Sequence, residues 1–202
     1  MNSAADTKHK PTLTELMRVR FKNVLDPIGG FLNRLGIQPN TMTLLGLVGN
    51  TIGAYFLAMG NITLGGVLVL LMGPIDALDG TMARLRGEPS RFGAFVDSVT
   101  DRYSELVIFF GLLVYFIHGG NWWHIAVVYL AAAGSVLVSY TRARAESLGY
   151  DVKIGLLTRM ERYFILVPTL VLNIPLVGVS LIALFANITA VQRILYIRKQ
   201  SG

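Results

Sequence analysis

The chain has 202 residues, 53% hydrophobic and only 15% charged, with a formal net charge of +6 and no cysteine. Apolar stretches near twenty residues recur along almost its whole length, and about 20 helical residues cross a hydrocarbon core roughly 30 Å thick. The composition therefore points to an all-α integral membrane protein, and the missing cysteines exclude disulfides and thiolate-held metals.

Residues 1–38 read as a cytoplasmic tail and a juxtamembrane amphipathic helix. Its start, "MNSAADTKHKPTLTEL", lacks the apolar core of a signal peptide, so no cleavage is expected. Met17, Phe21, Val24 and Ile28 recur at helical spacing with Arg18, Arg20 and Lys22 between them, a pattern suited to lying in the membrane interface. Pro27 and the glycines at 29 and 30 are expected to bend or break this helix. Residues 39–202 read as one membrane domain of six transmembrane helices, near 41–59, 63–82, within 91–117, 122–141, 154–172 and 175–192.

Charge orients these segments. Lys8, Lys10, Arg18, Arg20, Lys22 and Arg34 precede the first span. Arg84, Arg86, Arg91 and Arg102 surround the second connection, and Arg142, Arg144, Lys153, Arg159 and Arg162 follow the fourth span. Arg193, Arg198 and Lys199 end the sixth, which accounts for all 18 lysines and arginines. The opposite connections, "MGNIT", "IHGGNWWHI" and "VLNIP", carry none. Positive residues stay on the cytoplasmic side during insertion, so the expected protein is multi-pass in the cytoplasmic membrane with both termini inside. Its basic balance suits membrane lipid headgroups and phosphates, and makes no case for nucleic acid.

Against this apolar background the stretch "DALDGTMARLRGEPSRFGAFVDSVTD" holds four aspartates. At about 100° per helical residue, Asp76 and Asp79 lie about 60° apart, with Gly80 and Ala83 on the same face. Asp97 and Asp101 are one turn apart on the next helix, and Gly93 is one turn before them. Two adjacent antiparallel helices then point two carboxylates each into a shared space at the cytoplasmic edge. Pairing with Arg84, Arg86, Arg91 and Arg102 accounts for any one aspartate. It does not account for four on apolar helices, where acids are costly and usually functional. Close carboxylates raise one another's pKa unless cations compensate. An all-oxygen set favours Mg²⁺, Mn²⁺ or Ca²⁺, and two such ions suit displacement at phosphorus. His9, His118 and His124 are poor catalytic candidates, lying in the polar tail or on the far side from the acids.

The same stretch fits D-x2-D-G-x2-A-R-x8-G-x3-D-x3-D at Asp76, Asp79, Gly80, Ala83, Arg84, Gly93, Asp97 and Asp101. It resembles the signature of the CDP-alcohol phosphotransferase family, and the six-helix layout fits that family along nearly the full chain. The resemblance implies a homodimer with a polar cavity open to the cytoplasm in each protomer. It implies that Asp76, Asp79, Asp97 and Asp101 ligate two Mg²⁺ ions, with Mn²⁺ as an alternative, and that Asp101 also takes the proton of the attacking hydroxyl. Gly80, Arg84 and Ser90 would hold the CDP moiety. "PNTMT", with Asn40, Thr41, Met42 and Thr43, resembles a further CDP-lipid contact, although Asn40 also reads as a helix cap.

A second constellation is basic: "SYTRARAESLG" at 139–149, "LTRMERY" at 157–163 and "VQR" at 191–193. Arginine suits phosphate through its planar donor fork; positive-inside anchoring is the plainer explanation. The three segments resemble the branch that makes phosphatidylinositol phosphate. On that resemblance Arg142, Arg162 and Arg193, with Arg159, bind the phosphate of inositol 1-phosphate. Met160 and Arg142 depart from the branch, which commonly has proline and lysine there. The expected reaction moves a phosphatidyl group from CDP-diacylglycerol to that acceptor and releases CMP. Glycerol 3-phosphate is the alternative acceptor, and a membrane cation transporter is the alternative from another class.

Overall fold

The computed structural model describes residues 13–87, 90–152 and 154–201, with side chains from 20 to 200. Lys8, His9, Lys10 and Lys153, and the side chains of Met17 and Arg18, lie outside the described residues. Those residues form seven helices and no strand: α1 Leu13–Arg34, α2 Pro39–Ala58, α3 Ile62–Leu85, α4 Arg91–His118, α5 Trp122–Ser147, α6 Arg159–Val171 and α7 Pro175–Ser201. The expected all-α class holds.

Four helices, α2, α3, α5 and α7, are long and apolar enough to cross a membrane. The other two expected spans differ for physical reasons. Helix α4 has 28 residues, but Arg91, Asp97, Asp101, Arg102 and Glu105 crowd its first fifteen. Helix α6 has 13 residues and begins at Arg159 rather than near 154, short of the roughly 20 that a full crossing takes. The segment before it runs without regular structure from Asp151 to Thr158, apart from the undescribed Lys153.

Glycine sets how closely the helices approach. A Cβ on Gly65 of α3 would stand 2.8 Å from the Gly53 carbonyl oxygen of α2. One on Gly111 of α4 would meet the backbone of Ala54, with its carbonyl carbon at 3.0 Å. Such contacts suit membrane helices, which gain little from hydrophobic exclusion and rely on close packing. Leu57, Val69, Phe109, Leu112, Val128, Leu170 and Ile182 form the main core, whereas Leu44, Val48, Ile52, Leu71 and Phe110 point outward. The Gly60 turn after α2 and the Gly120 turn after α4 have φ of 83° and 71°, which favours glycine on steric grounds.

Helix α1 corrects the expected break. It runs continuously through Pro27, Gly29 and Gly30, because tertiary contacts support it. Gly29 lies against α3, where an added Cβ would be 3.2 Å from Thr81 Cγ2. Asn33 Nδ2 donates to the Met82 carbonyl at 3.1 Å, and Arg86 Nε donates to Asn33 Oδ1 at 2.7 Å. Leu25, Leu32 and Ile37 cover a small core of Met42, Leu78 and Met82. Phe21, Val24, Ile28 and Phe31 remain exposed.

Candidate active site

The C-terminal half of α3 and the N-terminal half of α4 bring the acids together. Asp76, Asp97 and Asp101 each offer a carboxylate oxygen within 4.8 Å of the others. Helical period alone puts Asp97 and Asp101 on one face, and the packing of α2 against both α3 and α4 brings Asp76 to them. Gly46 of α2 faces this group, its Cβ direction ending 4.0 Å from Asp76 Oδ1.

Asp79 is placed differently. It is buried, and its Oδ2 accepts a 2.6 Å hydrogen bond from Thr43 Oγ1 on α2. Its Oδ1 accepts from the Gly80 amide. The acid therefore ties α3 to α2 and stands outside the group of three. Thr43, expected as a CDP-lipid contact, is the other half of that tie.

Arg159 is the main counter-charge. Its Nη2 lies 2.8 Å from Asp76 Oδ2, and its Nη1 lies 2.5 Å from Asp101 Oδ2. Arg102 Nη1 stands 3.7 Å from the same Asp101 oxygen. The other oxygen, Asp101 Oδ1, is buried without a hydrogen-bond partner. A buried carboxylate oxygen in that condition is costly, and a hard divalent cation is the partner its chemistry suits. The all-oxygen donor set suits a hard divalent ion such as Mg²⁺ or Mn²⁺.

Of the expected CDP-lipid residues, Asn40, Thr41, Met42, Thr43 and Ser90 lie at the N-termini of α2 and α4, and Gly80 and Arg84 lie near the C-terminus of α3. Ser90 caps α4, its Oγ accepting from the Gly93 amide at 2.8 Å. A Cβ on Gly93 would be 2.9 Å from that Oγ and 3.6 Å from Asn40 Oδ1, so Asn40, Ser90 and Gly93 share one corner. The cap reading of Asn40 does not hold: Gln38 is the N-cap of α2 and Pro39 opens the helix, as a residue with no amide to satisfy suits that position. Thr41 is exposed, and Met42 is buried in the small core. Gly80 leaves room for Arg84, whose Nη1 would be 3.4 Å from a Cβ there. Arg84 Nη2 donates to Thr81 Oγ1 at 2.9 Å.

The expected acceptor arginines divide. Arg162 is 2% exposed and grips Glu105 with two bonds, Nε to Oε1 at 2.6 Å and Nη2 to Oε2 at 2.9 Å. Its Nη1 is buried with no partner. Arg193 is also buried; its Nε donates to the Ile154 carbonyl at 2.9 Å and its Nη1 to the Val138 carbonyl. It thereby stitches α7 to α5 and to the segment leading into α6. Arg142 is exposed and pairs with Glu146 at 2.8 Å. Arg142 and Arg162 are near enough for their positive charges to act on Arg193, with Glu146 opposing them, while Arg159 sits on the aspartates instead. Sequence reasoning passed over Glu105. It continues the four-residue spacing of Asp97 and Asp101 along α4, and that was the available signal.

The family model for CDP-alcohol phosphatidyltransferase matches residues 37–195. The chain is 36% identical over 187 residues to the archaetidylinositol phosphate synthase of Pyrococcus horikoshii, covering 91% of this chain and 96% of that one. It is 35% identical over 216 residues to the phosphatidylinositol phosphate synthase of Streptomyces avermitilis, covering 99% and 88%. The Mycobacterium tuberculosis phosphatidylinositol phosphate synthase with CDP-DAG bound has the same fold, with a TM-score of 0.81, 32% identity, and 86% and 92% of the two chains covered. Its complex with manganese and citrate gives a TM-score of 0.81 at 32% identity, with 85% and 88% covered. The acid-bearing helix pair and the full-length likeness to these transferases lead to one assignment: the chain belongs to the CDP-alcohol phosphatidyltransferase family.

Proposed function

We propose that the protein transfers the phosphatidyl group of CDP-diacylglycerol to inositol 1-phosphate, releasing CMP and forming a phosphatidylinositol phosphate. The observation that carries this reading is the placing of two unlike sites side by side on α4. Asp97 and Asp101 belong to the carboxylate group, and Glu105, one turn on, holds the buried Arg162. Family membership replaces the transporter alternative with a transferase. The relatives' names share inositol phosphate and differ in the lipid, which favours that acceptor over glycerol 3-phosphate.

Asp76, Asp97 and Asp101, with Asp79 from the next turn of α3, are the residues that would hold two divalent ions, Mg²⁺ or Mn²⁺. When bound, such ions neutralise the pyrophosphate and the CMP that departs. The corner of Asn40, Ser90 and Gly93 would receive the cytidine end of the donor, with Thr41, Gly80 and Arg84 beside it and Arg84 on its phosphates. Arg162 offers its unpartnered Nη1 to the acceptor phosphate, and Arg193 and Arg142 add positive charge there. The buried Arg162 and Arg193, with the exposed Arg142 at the edge, favour an anion among them. Asp101 takes the proton of the acceptor hydroxyl. The hydroxyl oxygen then attacks the lipid-linked phosphorus, and the bond from that phosphorus to the CMP oxygen breaks.

The remaining architecture belongs to the same proposal. Residues 39–202 act as one membrane domain with six membrane-embedded helices, α4 and α6 included. Residues 1–38 form its tail and interfacial helix. Both termini and the acids face the cytoplasm, and two chains form a homodimer. The test uses purified protein, labelled CDP-diacylglycerol and Mg²⁺, with lipid product followed for each acceptor. Inositol 1-phosphate should be used, glycerol 3-phosphate poorly, and free inositol hardly at all, because an analogue without a phosphate leaves the buried Arg162 Nη1 without a partner. Preference for free inositol or glycerol 3-phosphate would overturn the acceptor.

A further inference from the structure

Helix α3 contains a proline, Pro74, two residues before Asp76. Proline has no amide hydrogen, so the carbonyl one turn earlier, on Leu70, loses its helical donor. In a membrane protein such freed carbonyls are tolerated when a neighbouring element satisfies them. Here the neighbour is α6. Tyr163 Oη donates to the Leu70 carbonyl at 2.9 Å and lies 3.3 Å from that of Val69.

The approach is built on both sides. Any Cβ on Gly73 would collide with the Tyr163 hydroxyl, and its Cζ would stand 2.8 Å away. Two turns earlier, a Cβ on Gly66 would be 2.6 Å from Leu170 Cβ. The backbones of α3 and α6 thus run close from Gly66 to Gly73, and one turn before Tyr163 the same face of α6 carries Arg159 to Asp76. A tyrosine used only for apolar contact has no need of a glycine opposite its hydroxyl.

We propose that Tyr163 is a positioning residue for the carboxylate group. Its hydroxyl replaces the amide that Pro74 lacks, and so sets the direction in which α3 leaves the proline and brings Asp76 to Asp97 and Asp101. This rests on the reading of those acids as a divalent-ion site. Tyr163 touches neither substrate nor ion; it acts through the α3 backbone.

Mn²⁺ binding to the detergent-purified protein, followed by the loss of the free-ion electron paramagnetic resonance signal, separates positioning from general stability. Tyr163→Phe should weaken Mn²⁺ binding roughly tenfold, as loss of an outer-sphere support commonly does, and lower kcat while the acceptor's KM stays close to wild type. Pro74→Ala restores an amide to position 74, so adding Tyr163→Phe to it should weaken Mn²⁺ binding little further. Gly73→Ala, which blocks the phenol, should reproduce the loss seen in Tyr163→Phe and keeps the test open if Pro74→Ala does not fold. Unchanged Mn²⁺ affinity in Tyr163→Phe, or losses that add fully in the double variant, overturns the proposal. Asp76→Asn distinguishes the two readings. If it too leaves Mn²⁺ binding intact, the ion site itself is wrong; if it abolishes binding while Tyr163→Phe does not weaken it, only the positioning role fails.

Discussion

Replacing Glu105 with alanine should strand the guanidinium of Arg162, and the size of the effect follows from the geometry. The side chains of Arg162 and Glu105 are 2% and 18% exposed, so solvent screens this pair little. Both Glu105 oxygens accept, from Nε at 2.6 Å and from Nη2 at 2.9 Å, and Arg162 Nη1 has no partner among the described residues. Removing one member of a buried pair typically costs about 3–5 kcal/mol. Glu105→Ala should sit near the lower end, about 3 kcal/mol, because Glu105 is not wholly dry. Glu105→Gln, which keeps the shape and one acceptor oxygen, should cost less. If Arg162 belongs to the acceptor site, the acceptor's phosphate can take over as counter-ion. A ligand at about a hundred times its Kd stabilises the native state by about 2.7 kcal/mol, enough to recover most of the loss. The assay is thermal unfolding in detergent with and without saturating inositol 1-phosphate, beside acceptor and donor KM. The expected result is a lowered Tm that the acceptor largely restores, and a raised acceptor KM with donor KM near wild type. A lowered Tm that only CDP-diacylglycerol restores would refute the placing of Arg162.

Asp97→Asn, which removes one carboxylate charge from the group of three, should abolish divalent-dependent CMP release while folded protein is still recovered. EDTA should silence the wild type in the same assay, and full activity in either case counts against the ion site. Gly111→Ala should lower Tm by the equivalent of about 1–3 kcal/mol, the usual range for overpacking. The added methyl meets the Ala54 backbone of α2 rather than a flexible side chain. A Tm equal to wild type would mean that α2 and α4 separate more easily than their packing implies.

Much of this protein is written in local pattern. Apolar run length specifies membrane helices without reference to any partner, and α2, α3, α5 and α7 follow it. The spacing of Asp97 and Asp101 fixes their common face through helical period alone. The signature was sufficient to indicate the family, because it constrains residue types at defined spacings on two consecutive helices.

What the pattern leaves open is decided by contacts far apart in sequence. Pro27 is a helix breaker by intrinsic preference, yet α1 continues through it because α3 supplies packing and hydrogen bonds. Asp79 and Asp76 are equivalent in the sequence pattern, but Thr43, 36 residues away, takes Asp79. Arg159 and Arg162 stand one turn apart, and only the opposing helices determine that one meets the aspartates and the other Glu105. Helical period gives a side chain its direction. Which charge neutralises it in a low-dielectric interior depends on what the other helices place opposite, and that only the tertiary structure decides.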